Sequence, residues 1–544
     1  MKILAVITGL FIHASLSAMT FYISPSGNNE NPGTSAQPWA SPGYASKEMQ
    51  GGDTLVIQSG RYVLSVYWDD MITPPSGTGE HWTVVKGEDP APVLAGKDNL
   101  FSAFDISNVS FLRIENLEIT SDNGAQFREG ISGTGGPCSS IVIDHLYIHH
   151  MDEFGMDLGD PENLEVKDCT IEYCGFGSIG GPEAQHGGWR NVRISDCSLS
   201  WSGHYYQGVS APGAGPYDRP DGFGIEPSEG PVEITGCVAE HNRGDGLDSK
   251  ATNTLIWNCI VANNRCDGVK LWAGGSRVLN SLIYGTGDGD MSDSPWACLV
   301  IDDASHADAS FEIVNTTIFQ DPAKHGYILY CQYGSDVPAR ILFRNTIAAG
   351  GSGAAYFSPS VSLTSDHCLF FRQGGDEPVE ANGRLYSADD INSGQLGAGN
   401  LSADPLFIDP ASGRTGDYRL SASSPSIDSG VMAGELPDAD LDGNPRPCGA
   451  GPDIGAYEYQ PPVSVSKKDA SSSRASIYYD RGSRQIVLGR DLSGIISVYD
   501  VKGRLRLKSC CSGGRMDANL PAGVFIAVLT GGGQRHVVRF MVIR

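Results

Sequence analysis

Along most of this chain, short apolar runs alternate with polar residues and are broken by Asn, Asp and Gly, a period-2 pattern that predicts strands rather than helices. From about residue 108 the runs align on one phrase, Ile-x-Asn/Asp-Cys/Leu. Its instances include Ile114-Glu115-Asn116-Leu117, Val166-Lys167-Asp168-Cys169, Ile194-Ser195-Asp196-Cys197, Ile256-Trp257-Asn258-Cys259, Ile313-Val314-Asn315-Thr316 and Ser365-Asp366-His367-Cys368. Spacings of 22 to 40 residues match one rung of a solenoid with insertions in particular loops. The predicted fold class is all-β, a parallel β-helix followed by a small β-sandwich. The recurring Asn is expected to form a ladder whose amides bond turn backbone in neighbouring rungs.

The same reading divides the chain. Residues 19–107 form an entry module with strands at Thr20 to Gly27 and Gly52 to Ile57 and a short capping helix between them. Residues 108–460 form the β-helix, and the segment from Asn400 to Gln460 closes it. Residues 461–476, rich in Pro and Ser, are a linker, and 477–544 are a small all-β module. Asp440-x-Asp442-x-Asn444 reads as a turn rather than a calcium loop. The N-terminus reads as a signal peptide over residues 1–18: Lys2, an apolar run from Ile3 to Ile12, then small residues to Ala18. No run is long enough for a transmembrane helix.

Charge and cysteine narrow the function classes. A formal net charge of -26 argues against nucleic acid and anionic membranes as partners. An acidic polysaccharide remains possible with local help from a metal or basic residues. There are 13 cysteines, an odd number, and Cys169, Cys197, Cys237, Cys259 and Cys368 recur at one rung position, which predicts an inward stack of free thiols rather than disulfides. No zinc-type spacing occurs.

The chemistry concentrates in three successive rungs. Asp221-Gly222-Phe223-Gly224-Ile225-Glu226 recurs 24 residues on as Asp245-Gly246-Leu247-Asp248-Ser249-Lys250, and 22 further as Asp267-Gly268-Val269-Lys270-Leu271-Trp272. If Phe223, Leu247 and Val269 point inward, Gly224 and Glu226, Asp248 and Lys250, and Lys270 and Trp272 point outward. The leading Asp221, Asp245 and Asp267 enter on the same side. Carboxylates so close repel unless a cation such as Ca2+ sits among them. Lys270 is the candidate base and Lys250 its rival. Trp272, Arg243, Arg265 and the insertion residues His204, Tyr205 and Tyr206 are candidate substrate contacts. Asp302, Asp303 and His325 extend the groove. Against this stands the reading of each Asp-Gly pair as a plain turn.

The phrases Asp-Gly-Phe, Asp-Gly-Leu-Asp and Gly-Val-Lys-Leu followed by Gly274-Gly275 resemble the family 9 polysaccharide lyases, right-handed β-helix enzymes acting on pectate or rhamnogalacturonan. The resemblance implies that Asp221, Asp245 and Asp248 bind calcium and that Lys270 is the catalytic base of a β-elimination. Two departures stand out: the family has two adjacent aspartates where this chain has Gly244-Asp245, and a single bare rung separates Asp248 from Lys270. Asp267 is the candidate replacement ligand. The last seventy residues or so, with Ile496-Ser497-Val498-Tyr499-Asp500 and Val537-Val538-Arg539-Phe540, resemble the C-terminal sorting domain of type IX secretion cargo. That implies a secreted or surface-attached protein of a Gram-negative bacterium handled by the type IX machinery, here read as a monomer. The competing functions are a glycoside hydrolase using paired aspartates, a non-catalytic glycan-binding solenoid, and a uronate epimerase.

Overall fold

The computed structural model describes residues 18–209, 216–287, 297–303, 309–324, 326–333, 339–351, 353–410, 416–434 and 436–460, and the strands of 477–542. The signal-like segment to residue 17, the linker 461–476, His325 and the Asp303 side chain lie outside the described residues. The chain divides after Pro461 into two compact units.

Parallel strands stack in two hydrogen-bonded systems of 23 and 12 strands, which is the predicted parallel β-helix. A typical rung has three strands, such as Asp221–Ser228, Val232–Thr235 and Val238–Glu240. The next repeats them as Leu247–Ala251, Thr254–Trp257 and Ile260–Ala262. Register is strict: Ile234 pairs with Ile256, Ile256 with Val278 and Val278 with Ile313. The 12-strand system aligns Phe223, Leu247, Val269 and Leu299. All of these side chains are buried, so like residues fill the core in columns. Strands Thr20–Ile23 and Thr54–Ile57 begin the solenoid and pair directly, with helix Pro42–Glu48 in the connection between them as predicted. Among the described residues no helix is long and apolar enough to cross a membrane.

The Asn column has a conformational reason. Asn116, Asp168, Asp196, Asn258, Asn280, Asn315, Asn345 and His367 all adopt positive φ between 47° and 55°. Asn and Asp tolerate this left-handed corner better than other non-Gly residues. The thiol column follows at once. Cys169, Cys197, Cys237, Cys259 and Cys368 are free and buried, and each S–H faces the carbonyl two residues back. Ser281, Thr316 and Thr346 continue the column with hydroxyls bonded the same way.

The segment from Asn400 to Gln460 closes the helix differently from expectation. It lies along the flank of the solenoid, where Tyr418, Leu420, Ile454, Ala456 and Tyr457 cover the outer faces of Ala262, Leu282, Tyr284, Phe319 and Ile347. Ile391, in the short helix Ala388–Asn392, is what packs into the end of the main core. The Asn ladder consequently serves this strap as well as its own rungs: Asn280 donates to Asn258 Oδ1 and to Ala439 O, and Asn345 donates to Val431 O. Arg446, on the strap, donates to Asn280 Oδ1 and forms a fully buried ion pair with Glu458 at 3.1 Å. Asp440 is a turn residue, as read: its Oδ1 accepts from the backbone of Asp442 and Asn444.

The second unit is a five-stranded antiparallel sheet built from Ile477–Asp480, Gln485–Asp500, Leu505–Asp517, Gly523–Gly531 and Gln534–Val542.

Removing one partner of a buried pair strands a charge. Arg446→Ala should therefore lower unfolding stability by about 3–5 kcal/mol in urea titration. A loss no larger than that of an exposed substitution such as Arg193→Ala would show that the strap is not held by this pair.

Candidate functional site

Strands Asp221–Ser228, Leu247–Ala251 and Val269–Leu271 lie side by side in the 12-strand system. Pairing of Gly224 with Asp248 and of Asp248 with Lys270 puts these three in one outward column. Asp221, Asp245 and Asp267 form the column at the strand entries, linked through the backbone. Asp221 Oδ1 accepts from Asp245 N at 2.6 Å, Asp245 Oδ1 from Asp267 N at 2.8 Å, and Asp267 Oδ1 from Ala297 N at 2.7 Å. One oxygen of each carboxylate thus holds the next rung in register, and the Oδ2 atoms of Asp245 and Asp267 face Lys270.

Asp221, Asp245 and Asp248 bring carboxylate oxygens within 4.8 Å of one another. Lys270 Nζ sits at the edge of the group, 3.6 Å from Asp245 Oδ2 and 3.7 Å from Asp267 Oδ2. Asp267 lies outside the set of three and faces Lys270 instead. Burial, reinforced by Asp245 and Asp248, pushes the Asp221 carboxyl well above the usual range. Burial and Asp245 push Asp248 up to about 7, and the same two causes raise Asp267. Burial works to lower Lys270, but Asp245, Asp248, Asp267 and Asp221 together override it and hold the ammonium above its ordinary range. Fully ionised, the group would carry more negative charge than one lysine offsets.

Gly244 stands where the resemblance noted in the sequence would place an acid. A Cβ here would lie 2.5 Å from the Arg219 backbone as well as 2.2 Å from Asp221 Oδ1, so the backbone itself leaves no room for a side chain.

Trp272 faces outward as predicted but is not a free platform. Its Nε1 donates to Asp248 Oδ1 at 2.7 Å, and Lys270 and Lys250 lie 5.1 Å and 5.6 Å from its ring centroid. Lys250 pairs with Glu226 at 2.6 Å. Arg243 and Arg265 are exposed at the turns before the aspartates, and neither borders the adjoining cavity. In the insertion, His204 packs edge-on against Trp201, while Tyr205 contacts Ser121 Oγ at 3.1 Å. Tyr206 packs on Tyr217, which stacks on Phe176.

That cavity, of about 390 Å³, opens beside the carboxylates and is bordered by Asp157, Phe154, Phe176, Arg219, Gly224 and Lys250. Asp157, Phe154, Phe176 and Arg219 escaped sequence reasoning. A signal existed: Glu129-Gly130-Ile131 and Phe154-Gly155-Met156 share the x-Gly-apolar form of the three aspartate phrases, and the strands containing them belong to the same sheet.

No family model matches the chain, and no curated protein matches it. Among solved structures it is similar to XylC in complex with xylose, at 10% identity over 81% of this chain and 98% of that one, with a TM-score of 0.52. It is also similar to pectate lyase Pel9A, at 16% identity over 82% and 98%, with a TM-score of 0.47. A mannuronan C-5 epimerase module from Azotobacter vinelandii matches at 13% identity over 66% and 93%, with a TM-score of 0.39. At these identities the likeness is one of fold, the parallel β-helix already described.

Proposed function

We propose that this chain is a calcium-dependent polysaccharide lyase that cleaves a uronate-containing polysaccharide, of the pectate or rhamnogalacturonan type, by β-elimination with Lys270 as base. The observation that carries the reading is the buried group Asp221, Asp245 and Asp248 with the Lys270 ammonium at its edge. The donor set fits calcium, being all oxygen, flexible in geometry and drawn from adjacent rungs. Bound there, the cation supplies the positive charge that offsets a uronate carboxylate and the enolate-like anion formed from it.

The remaining work belongs to the chain. Lys270 accepts the C5 proton of the uronate, the C–H electron pair becomes the C4–C5 double bond, and the C4–O4 bond breaks with its pair leaving on oxygen. An amine does this only when neutral. Four aspartates hold Lys270 protonated, and neutralising their charge is what frees it. Trp272 keeps one Asp248 oxygen in place and packs beside both lysines. Lys250, the rival candidate, is held in an ion pair with Glu226. The same reading puts the enzyme outside the cell, exported through its N-terminal segment and, by way of residues 477–544, the type IX machinery.

Lys270→Ala should reduce formation of the unsaturated, ultraviolet-absorbing product by about 10²–10⁴-fold, and Lys250→Ala should leave most of it. EGTA should abolish product and added calcium restore it. Saturated products, or an active Lys270→Ala variant, would sink the lyase reading.

The raised Asp248 carboxyl makes a second prediction, with a definite sign. The folded state keeps a proton to about pH 7 that the unfolded chain gives up near 3.8, so stability falls as pH rises between those values and the penalty is full above 7. Asp248→Asn should thus raise the calcium-free melting temperature at about pH 8 by a few degrees while removing the stabilisation by added calcium. A lower melting temperature with an intact calcium response would take Asp248 out of the ligand set.

A further inference from the structure

The turn that follows strand Arg61–Leu64 presents an apolar surface far from the carboxylates. Four of the twelve exposed large apolar side chains among the described residues gather there: Val63, Val66, Tyr67 and Trp68. Single exposed residues of this kind are ordinary, whereas a run of them marks an interaction surface. Tyr67 is 50% exposed and Trp68 70%. Their rings meet edge to face, with centroids 5.2 Å apart and planes at 85°, and Lys47 Nζ lies 5.4 Å from the Trp68 ring centroid. The backbone beneath is pinned. Asp70 Oδ2 accepts from Ser65 N and Val66 N, both at 2.7 Å, and Lys47 Nζ donates to Trp68 O. Asp70 N donates to Val66 O at 2.8 Å and Tyr44 N to Asp69 O at 2.9 Å. Rings held out into water on a pinned turn serve no core, and little ordering is lost when something packs on them.

What fits this surface is small and not selected by charge. A stable protein interface takes about 20–30 residues a side, whereas this one is a single turn. Lys47, Glu48 and Asp69 stand exposed around it, so neither sign of charge dominates. An indole and a phenol beside an amine suit a sugar ring, whose C–H face packs on the indole while its oxygens reach the ammonium. We propose that Tyr67 and Trp68 anchor a polysaccharide at a second site on this chain, other units of the same polymer occupying the carboxylate site. The proposal rests on the polysaccharide reading and adds to it a dependence on polymer length. Ile72, just after the turn, opens a register that runs through Phe104, Ile131, Met156, Ile179 and Phe223 to Leu247. The aspartates therefore lie six rungs from the turn, about 29 Å at ordinary strand spacing. No single sugar spans that distance, so the anchor works by raising the local concentration of polymer at the carboxylates.

The test uses the full chain carrying Lys270→Ala to prevent turnover, with calcium, and two probes: polygalacturonate and a galacturonate trimer too short to reach both sites. Calorimetry should give polymer binding about tenfold weaker in Trp68→Ala, and weaker also in Tyr67→Ala, with trimer binding unchanged. The loss should persist at high salt, because stacking rather than charge holds the sugar. Trp257→Ala, which removes an exposed indole on another strand, should leave both affinities as they were. All three side chains are exposed, so the variants should fold, as melting curves will check. No binding of the polymer, an affinity indifferent to both Trp68→Ala and Tyr67→Ala, an equal loss on the trimer, or an equal loss in Trp257→Ala overturns the anchor. So does self-association in sedimentation that Trp68→Ala abolishes, which gives the surface to a second copy of the chain. A polymer affinity that depends on Trp68, where the Lys270 enzyme yields no unsaturated product, ends the lyase reading but keeps the anchor. Product formation with a polymer affinity unmoved by the variants does the reverse.

Discussion

In-register stacking of parallel strands is the constraint from which the rest follows. Neighbouring rungs are about 4.8 Å apart, so a residue at a given register position meets its counterparts above and below. Repetition of an apolar residue then builds a core column, as with Ile234, Ile256, Val278 and Ile313. Repetition of Cys, Ser or Thr builds a column of S–H and O–H donors to carbonyls. Repetition of Asp builds something unstable by itself. Asp221, Asp245 and Asp267 each accept a backbone N–H from the following rung, an arrangement that favours the ionised form. Burial and mutual repulsion still win, because Asp221 and Asp267 end well above the usual carboxylate range.

Steric exclusion sharpens that imbalance. Asp221 reaches under the strand entry of the next rung, where a Cβ at Gly244 would lie 2.2 Å from its Oδ1, and one at Gly224 would lie 2.6 Å from its Oδ2. The Arg219 backbone, 2.5 Å from a Cβ at 244, closes that space whatever the Asp221 side chain does. The chain keeps its carboxylate on the preceding rung and leaves both glycines bare, which also opens the floor of the cavity beside Gly224.

What was legible in the sequence was local. Strand alternation correctly turned Asp248, Lys250, Lys270 and Trp272 outward, since period 2 needs only the register of one strand. The Asn column was legible too, although its cause, a left-handed corner, is conformational as much as hydrogen-bonding. Long-range features were not. That Tyr418 and Ile454 cover the flank near Ala262 and Tyr284 depends on how a strap returns over several rungs. Tyr205 meets Ser121 across 84 residues of sequence, which turns the insertion toward a neighbouring corner. Asp157 and Phe154 were hidden because their rung lacks the Asp-Gly entry and carries only the weaker Phe154-Gly155-Met156 form.

The two lysines, similar on paper, differ in what surrounds them. Both lie near the Trp272 ring, at 5.1 Å and 5.6 Å. Lys250 answers to Glu226, which is not one of the clustered carboxylates, so a change in the charge of that cluster leaves its pair intact. Lys270 answers to Asp245, one of the three, and to Asp267 beside it. Its side chain is 12% exposed against 24% for Lys250, so water screens those contacts less. The Lys270 ammonium is therefore held in its charged form by the aspartates themselves. The proposed base, Lys270, is thus the amine whose counter-ions include a proposed cation ligand, Asp245.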